Sequence, residues 1–221
     1  MNPTRAASSP RAGDVNDPRS LSTWFRTRRD RLLRGFILSQ HRDKSWPFRI
    51  LDICGSLSYW RRVVAEFVTT NGIEVTCVDP DEPSNSDNMP GVTQMVADGC
   101  RLVVENMSFD MIHSNSVIEH VGRSPDMRRF ANEVRRLAPS FYIQTSYFWF
   151  PIDPHFYRVS MFHCLPQQTR VALVLLWRAG IYPPEPNIDS ALAAWSSLYR
   201  LIVAIFRRYF PTPRFAVRNS C

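Results

Sequence analysis

Four apolar runs in this chain end alike. "FRILDI" carries Asp52 at its close, "IEVTCVD" ends on Asp79, "VTQMVAD" on Asp98, and "FDMIHSN" leads into Ser114, Asn115 and Ser116. "YWRRVVAEFVTT" and "DMRRFANEVRRLA" have helical spacing, and a fifth run, "FYIQTS", follows the second of them. Strands separated by helical stretches imply crossover connections, and crossovers imply a parallel sheet with helices on both faces. The expected fold is therefore α/β, a doubly wound and mostly parallel sheet. Such a sheet binds ligands outside the carboxyl ends of its strands, near the point where strand order reverses. Asp52, Asp79, Asp98 and the Ser114-Asn115-Ser116 cluster should then converge on one crevice.

The flanks read differently. Residues 1–20 mix Pro, Ser, Gly, Asn and Arg without apolar periodicity and form an expected disordered tail. Residues 21–46 read as a basic amphipathic helix: Leu21, Trp24, Phe25, Leu32, Leu33, Phe36 and Ile37 form one stripe, with the arginines largely elsewhere. That helix either packs on the domain with a solvated arginine face or lies on anionic lipid or RNA. Beyond Pro166, "QQTRVALVLLWRAG" and "SALAAWSSLYRLIVAIFRRYF" are helical, and "RFAVRNS" is a weak final strand. Packing on the sheet is one reading of this end, and membrane-surface contact through residues 190–210 is the other.

Composition bounds the class. A chain of 221 residues with 44% hydrophobic content supports one sizeable core with appendages. The net charge of +7 is carried almost wholly by arginine, Lys44 being the one lysine, and by itself names no partner. No specific nucleic acid is expected. The five cysteines are odd in number and never in a C-x-x-C pair, which argues against a disulfide framework or a zinc site and for a reducing compartment. No secretory signal and no apolar run of spanning length is read from the sequence, so the expected location is the cytoplasm, with peripheral membrane contact as the exception.

"ILDICGSLSYW", "VTCVDPDEP", "MVADGCRL" and "FDMIHSNSVIEHV", in that order, resemble the class I S-adenosylmethionine-dependent methyltransferases, in particular the small type 11 domains. The resemblance covers roughly residues 48–160. It implies a methyltransferase-like domain over residues 47–221, divided into a cofactor-binding core at 47–146 and a substrate-side loop with C-terminal helices at 147–221. It implies S-adenosylmethionine as cofactor, held by Asp52, Cys54, Gly55, Ser56, Asp79, Pro80, Asp98, Gly99, Asn115 and Ser116. Asp79, at the tip of the second strand, is placed like the acidic residue that grips ribose hydroxyls in doubly wound folds. By the resemblance Asp98 accepts from the adenine amino group. The first loop departs from the pattern: Cys54, Ser56 and Ser58 stand where glycines are usual, and Gly55 alone remains.

The turn after the fourth strand lies beside the sulfonium in this family, which brings Glu119 and His120 to the transfer site. Methyl transfer needs orientation first and at most one base near neutrality, which histidine supplies. His120, or His155 from "PIDPHF", is the candidate base and Glu119 its orienting partner. Some related O-methyltransferases carry E-x-x-E-H here and hold a divalent cation. Ser116 replaces the first glutamate in this chain, so no metal is expected. The aromatic loop with Tyr147, Phe148, Trp149, Phe150, Phe156, Tyr157 and Phe162 is a packed lid, a substrate mouth, or both. The expected activity is methyl transfer to an oxygen or nitrogen of a small or carrier-bound metabolite, such as a glycan or lipid precursor. The alternative is a catalytically inactive methyltransferase-like binding or scaffold module.

Overall fold

The computed structural model describes residues 21–41, 47–81, 89–145, 148–149, 156, 158–180, 184–196 and 203–210. The tail at 1–20, His155, Tyr147, Phe150, Tyr157 and the "RFAVRNS" segment lie outside the described residues.

Five parallel strands form the centre: β1 (Phe48–Ile53), β2 (Ile73–Asp79), β3 (Val92–Val96), β4 (Met111–Asn115) and β5 (Ser140–Gln144). Their spatial order is β3-β2-β1-β4-β5, all pairs parallel. Strand order thus reverses between β1 and β4, where the ligand crevice of such a sheet belongs. Helix α2 (Leu57–Thr70) connects β1 to β2, and α3 (Ser124–Leu137) connects β4 to β5. α1 (Leu21–His41) precedes the sheet, and α4 (Gln167–Leu176), α5 (Ile188–Ser196) and α6 (Val203–Tyr209) follow it.

The period of two along each strand divides the sheet into two faces. Leu51, Ile53, Ile112, Phe141 and Ile143 point to one side, where Phe130, Val134 and Leu137 of α3 and Phe206 and Phe210 at α6 cover them. Phe48, Ile50, Val75, Met111 and Tyr142 point to the other, under Trp60 and Val68 of α2 and Leu33 and Ile37 of α1. Helices therefore cover both faces, as the doubly wound pattern requires.

The second half of the α1 stripe docks. Leu33 and Ile37 are buried, Phe36 meets the Tyr142 ring at 5.5 Å, and Gln40 Oε1 accepts from Ser140 Oγ at 2.7 Å. Trp24, expected in the stripe, is exposed, with the Arg28 guanidinium over its ring at 5.6 Å.

The C-terminal helices divide their work. α6 belongs to the sheet: Phe210 packs on Phe141 with ring centres 5.2 Å apart and stacks on Phe206 at 4.9 Å. α4 and α5 form a small cluster of their own around Phe156, Phe162, Val174 and Ala191, with the two phenyl rings stacked at 4.0 Å. Those two aromatics of the loop are packed, while Trp149 is exposed. α4 ends at Leu176, short of the expected stop at Gly180. No helix among the described residues is long and apolar enough to cross a membrane.

Candidate functional site

The loop after β1 shows where its glycine is needed. Gly55 lies against the Asp52 carboxylate so closely that a Cβ would sit 2.0 Å from Oδ2. The positive backbone angle of the turn falls instead on Cys54, at φ 53°. A side chain in that left-handed region costs about 1–2 kcal/mol. Ser116, the residue after β4, takes the same conformation at φ 59°. The two strained residues thus follow the two neighbouring strands between which strand order reverses, the kind of place where backbone strain collects.

Asp52 does not face the crevice. It is buried, His113 donates to its Oδ1 from Nδ1 at 2.6 Å, and Trp60 donates to its Oδ2 from Nε1 at 2.7 Å. His113 is itself stacked between Tyr59 and Tyr142, with ring centres 5.5 and 6.1 Å away. Each of its oxygens accepts one hydrogen bond within the fold, and the residue ties β1, β4 and α2 together beneath Gly55. Ser56 likewise serves the fold, its Oγ accepting from the Tyr59 backbone N–H at 3.3 Å as the cap of α2.

In front of this network lies a crevice of about 590 Å³ whose walls include Cys54, Pro80, Asp98, Gly99, His120 and Arg129. Asp98 lines it, and Asp79 is the residue before Pro80 in its wall. Burial comes first in pushing the Cys54 thiol up to about 12, although the residue keeps solvent access, and the carboxylates of Asp79, Asp52 and Asp98 all add to it. Each of the two outer carboxylates braces its own turn with one oxygen: Asp79 Oδ1 accepts from the Asp81 N–H at 3.0 Å and Asp98 Oδ1 from the Cys100 N–H at 2.8 Å. The second oxygen of each takes no hydrogen bond among the described residues. Gly99 packs so tightly that a Cβ would sit 2.3 Å from Ile53 Cγ2, which lets the segment after β3 close on the end of β1.

No helix is described between β3 and β4, so that segment needs another anchor. Arg136 of α3 donates to the carbonyls of Val104 at 2.7 Å and Leu102 at 2.9 Å, and Glu133 accepts from the Leu102 N–H at 3.1 Å. Glu133 and Arg136 also bond to each other, at 2.9 Å through Nε. These two positioning residues give no sequence signal, since charged residues on a helix normally read as its solvent face.

His120 is exposed and lines the crevice. Glu119 is buried, accepts from Thr145 Oγ1 at 2.7 Å and is absent from the crevice wall, so this carboxylate braces the end of β5. Asn115 ends β4 half-buried, and the Ser116 N–H donates to the Gln144 carbonyl at 2.9 Å.

The model of the methyltransferase domain family matches residues 51–140. Over those residues the chain is similar to a methyltransferase domain. Among solved structures it is similar to a candidate methyltransferase of an antibiotic biosynthesis pathway from Anabaena variabilis, at 14% identity over 66% of this chain and 58% of that one, with a TM-score of 0.46. It is also similar to a chain in the complex of the Haloferax volcanii Trm112 methyltransferase activator with a candidate methyltransferase, at 15% identity over 86% and 74%, TM-score 0.47. A third is the Burkholderia thailandensis 1,6-didemethyltoxoflavin-N1-methyltransferase with bound 1,6-didemethyltoxoflavin and S-adenosylhomocysteine, at 18% identity over 55% and 53%, TM-score 0.40. This chain thus spans between about half and three quarters of the length of these chains. No curated protein matches it.

Proposed function

We propose that this chain binds S-adenosylmethionine in the crevice and transfers its methyl group to an oxygen or nitrogen of a small or carrier-bound metabolite, a glycan or lipid precursor being one class. One observation carries this reading: Asp98 and Pro80, the residue after Asp79 at the end of β2, line the same crevice, and the Asp79 and Asp98 carboxylates each keep an oxygen for a ligand. When bound, the cofactor supplies an electrophilic methyl group on a sulfonium. The residues around the crevice fit it. Asp79 accepts from the ribose hydroxyls, Asp98 from the adenine amino group, and Pro80 and Gly99 bound the ring, while backbone groups at Cys54, Gly55 and Ser116 hold the methionine portion. The volume of about 590 Å³ falls within the range of small-ligand sites.

His120 takes the acceptor's proton as the acceptor attacks, and Glu119 holds the turn that carries it. His155 is the second candidate for that proton. In this reading residues 47–146 hold the cofactor and 147–221 face the acceptor. Exposed Arg207 and Arg208 support a peripheral membrane contact for residues 190–210, whereas the burial of Phe206 and Phe210 in the core speaks for packing on the sheet. The second reading, a binding module without turnover, is favoured by Cys54, whose side chain stands in the crevice wall where the resembling loops carry glycine.

Titration calorimetry with S-adenosylhomocysteine tests the proposal. Wild type should bind, and Asp79→Ala should weaken binding by about 2–3 kcal/mol, the scale of lost hydrogen bonds to a charged group, with the unfolding midpoint unchanged. No heat of binding in the wild type refutes the methyl-donor site. Binding without methyl transfer to any acceptor favours the module.

A further inference from the structure

Helix α1 has two faces of opposite character. On the inner one Leu33 and Ile37 are buried, the guanidiniums of Arg29 and Arg34 lie over the Tyr59 and Phe67 rings of α2 at 5.6 and 5.8 Å, and Gln40 accepts from Ser140. From Arg29 onward the helix is thus held to the domain, and its outer face is presented in a fixed orientation. On that outer face Trp24, Arg28, Arg31, Gly35 and Leu38 follow one another at spacings of three or four residues, and all are exposed. Trp24 and Leu38, the large apolar members, are 54% and 43% exposed and stand roughly 20 Å apart along the axis, with the arginines between them. Arg34 is exposed beside this line.

The outer face carries no carboxylate. Asp30, the one acidic residue of α1, lies off it, half-buried, with Arg29 Nε 3.4 Å away. On α3, by contrast, arginines come with acidic neighbours, Arg129 with Asp126 and Arg136 with Glu133. Guanidiniums without counter-charge on a rigid face are complementary to a layer of phosphates, whose oxygens their planar forks fit. The apolar stripe of α1 is already covered by the sheet, so the helix does not insert as a free amphipathic anchor would. Its outer face suits adsorption at headgroup level, where a Trp ring sits between lipid and water and arginine stems lie along the apolar boundary. The Arg28 guanidinium stands over the Trp24 ring at 5.6 Å and covers a ring face on which a nucleic-acid base would stack, which favours lipid over RNA.

We propose that the outer face of α1, through Arg28, Arg31 and Arg34 with Trp24 and Leu38 at its ends, is a docking surface for an anionic phospholipid membrane. The surface is distinct from residues 190–210: α1 packs on one face of the sheet and α6 on the other, so docking through α1 turns Arg207 and Arg208 away from the bilayer. It needs nothing from the crevice and holds whether or not the crevice binds a methyl donor.

The test is co-sedimentation of the full chain with sucrose-loaded vesicles of phosphatidylcholine and phosphatidylglycerol, with phosphatidylcholine vesicles as the uncharged reference, read alongside tryptophan emission. Wild type should bind the anionic vesicles and not the neutral ones, and its emission should shift to the blue on binding. The double variant Arg28→Gln, Arg31→Gln should bind about thirtyfold more weakly, the scale of two basic residues at an anionic surface. The double variant Arg207→Gln, Arg208→Gln should bind as wild type does. Trp24→Phe should still bind and should lose the blue shift. Each variant should unfold at the wild-type temperature, since the replaced side chains are exposed. Wild-type binding by the α1 double variant, or equal weakening by the α6 pair, overturns the proposal. So does equal binding to neutral vesicles, a blue shift retained in Trp24→Phe, or tighter binding of a single-stranded oligoribonucleotide than of the anionic vesicles. A lowered unfolding temperature in both the α1 double variant and Trp24→Phe means that these side chains serve the fold, and overturns it as well.

Discussion

The two faces of the sheet are built on different principles. Toward α3 and α6, the residues of β1, β4 and β5 are Leu51, Ile53, Ile112, Phe141 and Ile143, with Ser114 the polar exception. Toward α1 and α2, a polar row crosses the same three strands in register, Asp52 beside His113 beside Tyr142, with Asn115 and Gln144 one step nearer the carboxyl ends of β4 and β5. An apolar face tolerates substitution of one hydrocarbon for another, because burial is roughly proportional to area and has no direction. A hydrogen-bonded row is directional, and each of its members is costly to lose. The apolar face therefore sets the fold, and the polar face sets the loops at its end.

The largest effect that separates the faces should come from Asp52→Ala. It strands the Trp60 N–H and His113 Nδ1 in the core and removes the surface on which Gly55 rests, so urea unfolding should show a loss of about 3–5 kcal/mol, together with loss of cofactor binding. Leu51→Ala, its neighbour on the other face, should cost about 2–5 kcal/mol from cavity formation yet leave the affinity of the remaining folded protein near wild type. Equal losses of affinity in the two variants would break the distinction.

Arg136→Ala sharpens it at one remove from the strands. Losing the bonds to the Leu102 and Val104 carbonyls frees the segment that carries Asp98 and Gly99, so affinity for S-adenosylhomocysteine should fall about tenfold, or ~1.4 kcal/mol, with a smaller change in stability. Hydrogen exchange at residues 98–107 should rise in parallel.

A smaller effect, of opposite sign, is expected at Cys54. Replacing it by glycine relieves a side chain at φ 53° and should raise stability by about 1 kcal/mol, read from the urea midpoint. The least change concerns alkaline pH. Burial, first among the causes, and nearby carboxylates raise the Cys54 thiol from 9.0 to about 12 and the Cys100 thiol to about 11. The folded state thus keeps protons that the unfolded chain releases above pH 9. Their contribution is intact below pH 9 and is lost as pH rises from 9 toward 11 to 12, so the double variant Cys54→Ala, Cys100→Ala should flatten this alkaline decline in urea titrations.

The sheet, its parallel sense and the crevice edge were legible because they are written locally. Apolar runs ending in Asp79 and Asp98 need no knowledge of partners. Asp52 has the same local signature and a different role, since the partner His113 stands 61 residues away and only strand register brings the two together. Glu119 was legible as a turn carboxylate near the site and illegible as a brace for Thr145, for the same reason. Gln144 carries no motif at all, and that its buried amide has no partner among the described residues is a property that exists only once the core has closed. The segment after β3 looked like an ordinary connection because its anchors, Glu133 and Arg136, sit on the exposed side of a helix pattern.

The most direct measurement is a crystal structure of the chain soaked with S-adenosylhomocysteine. The account predicts ribose hydroxyls on the Asp79 carboxylate, the adenine amino group on Asp98, and Asp52 still bonded to His113 and Trp60 behind Gly55. Density for the nucleoside elsewhere on the protein, or a ligand bound through Asp52 with its two partners displaced, would contradict it.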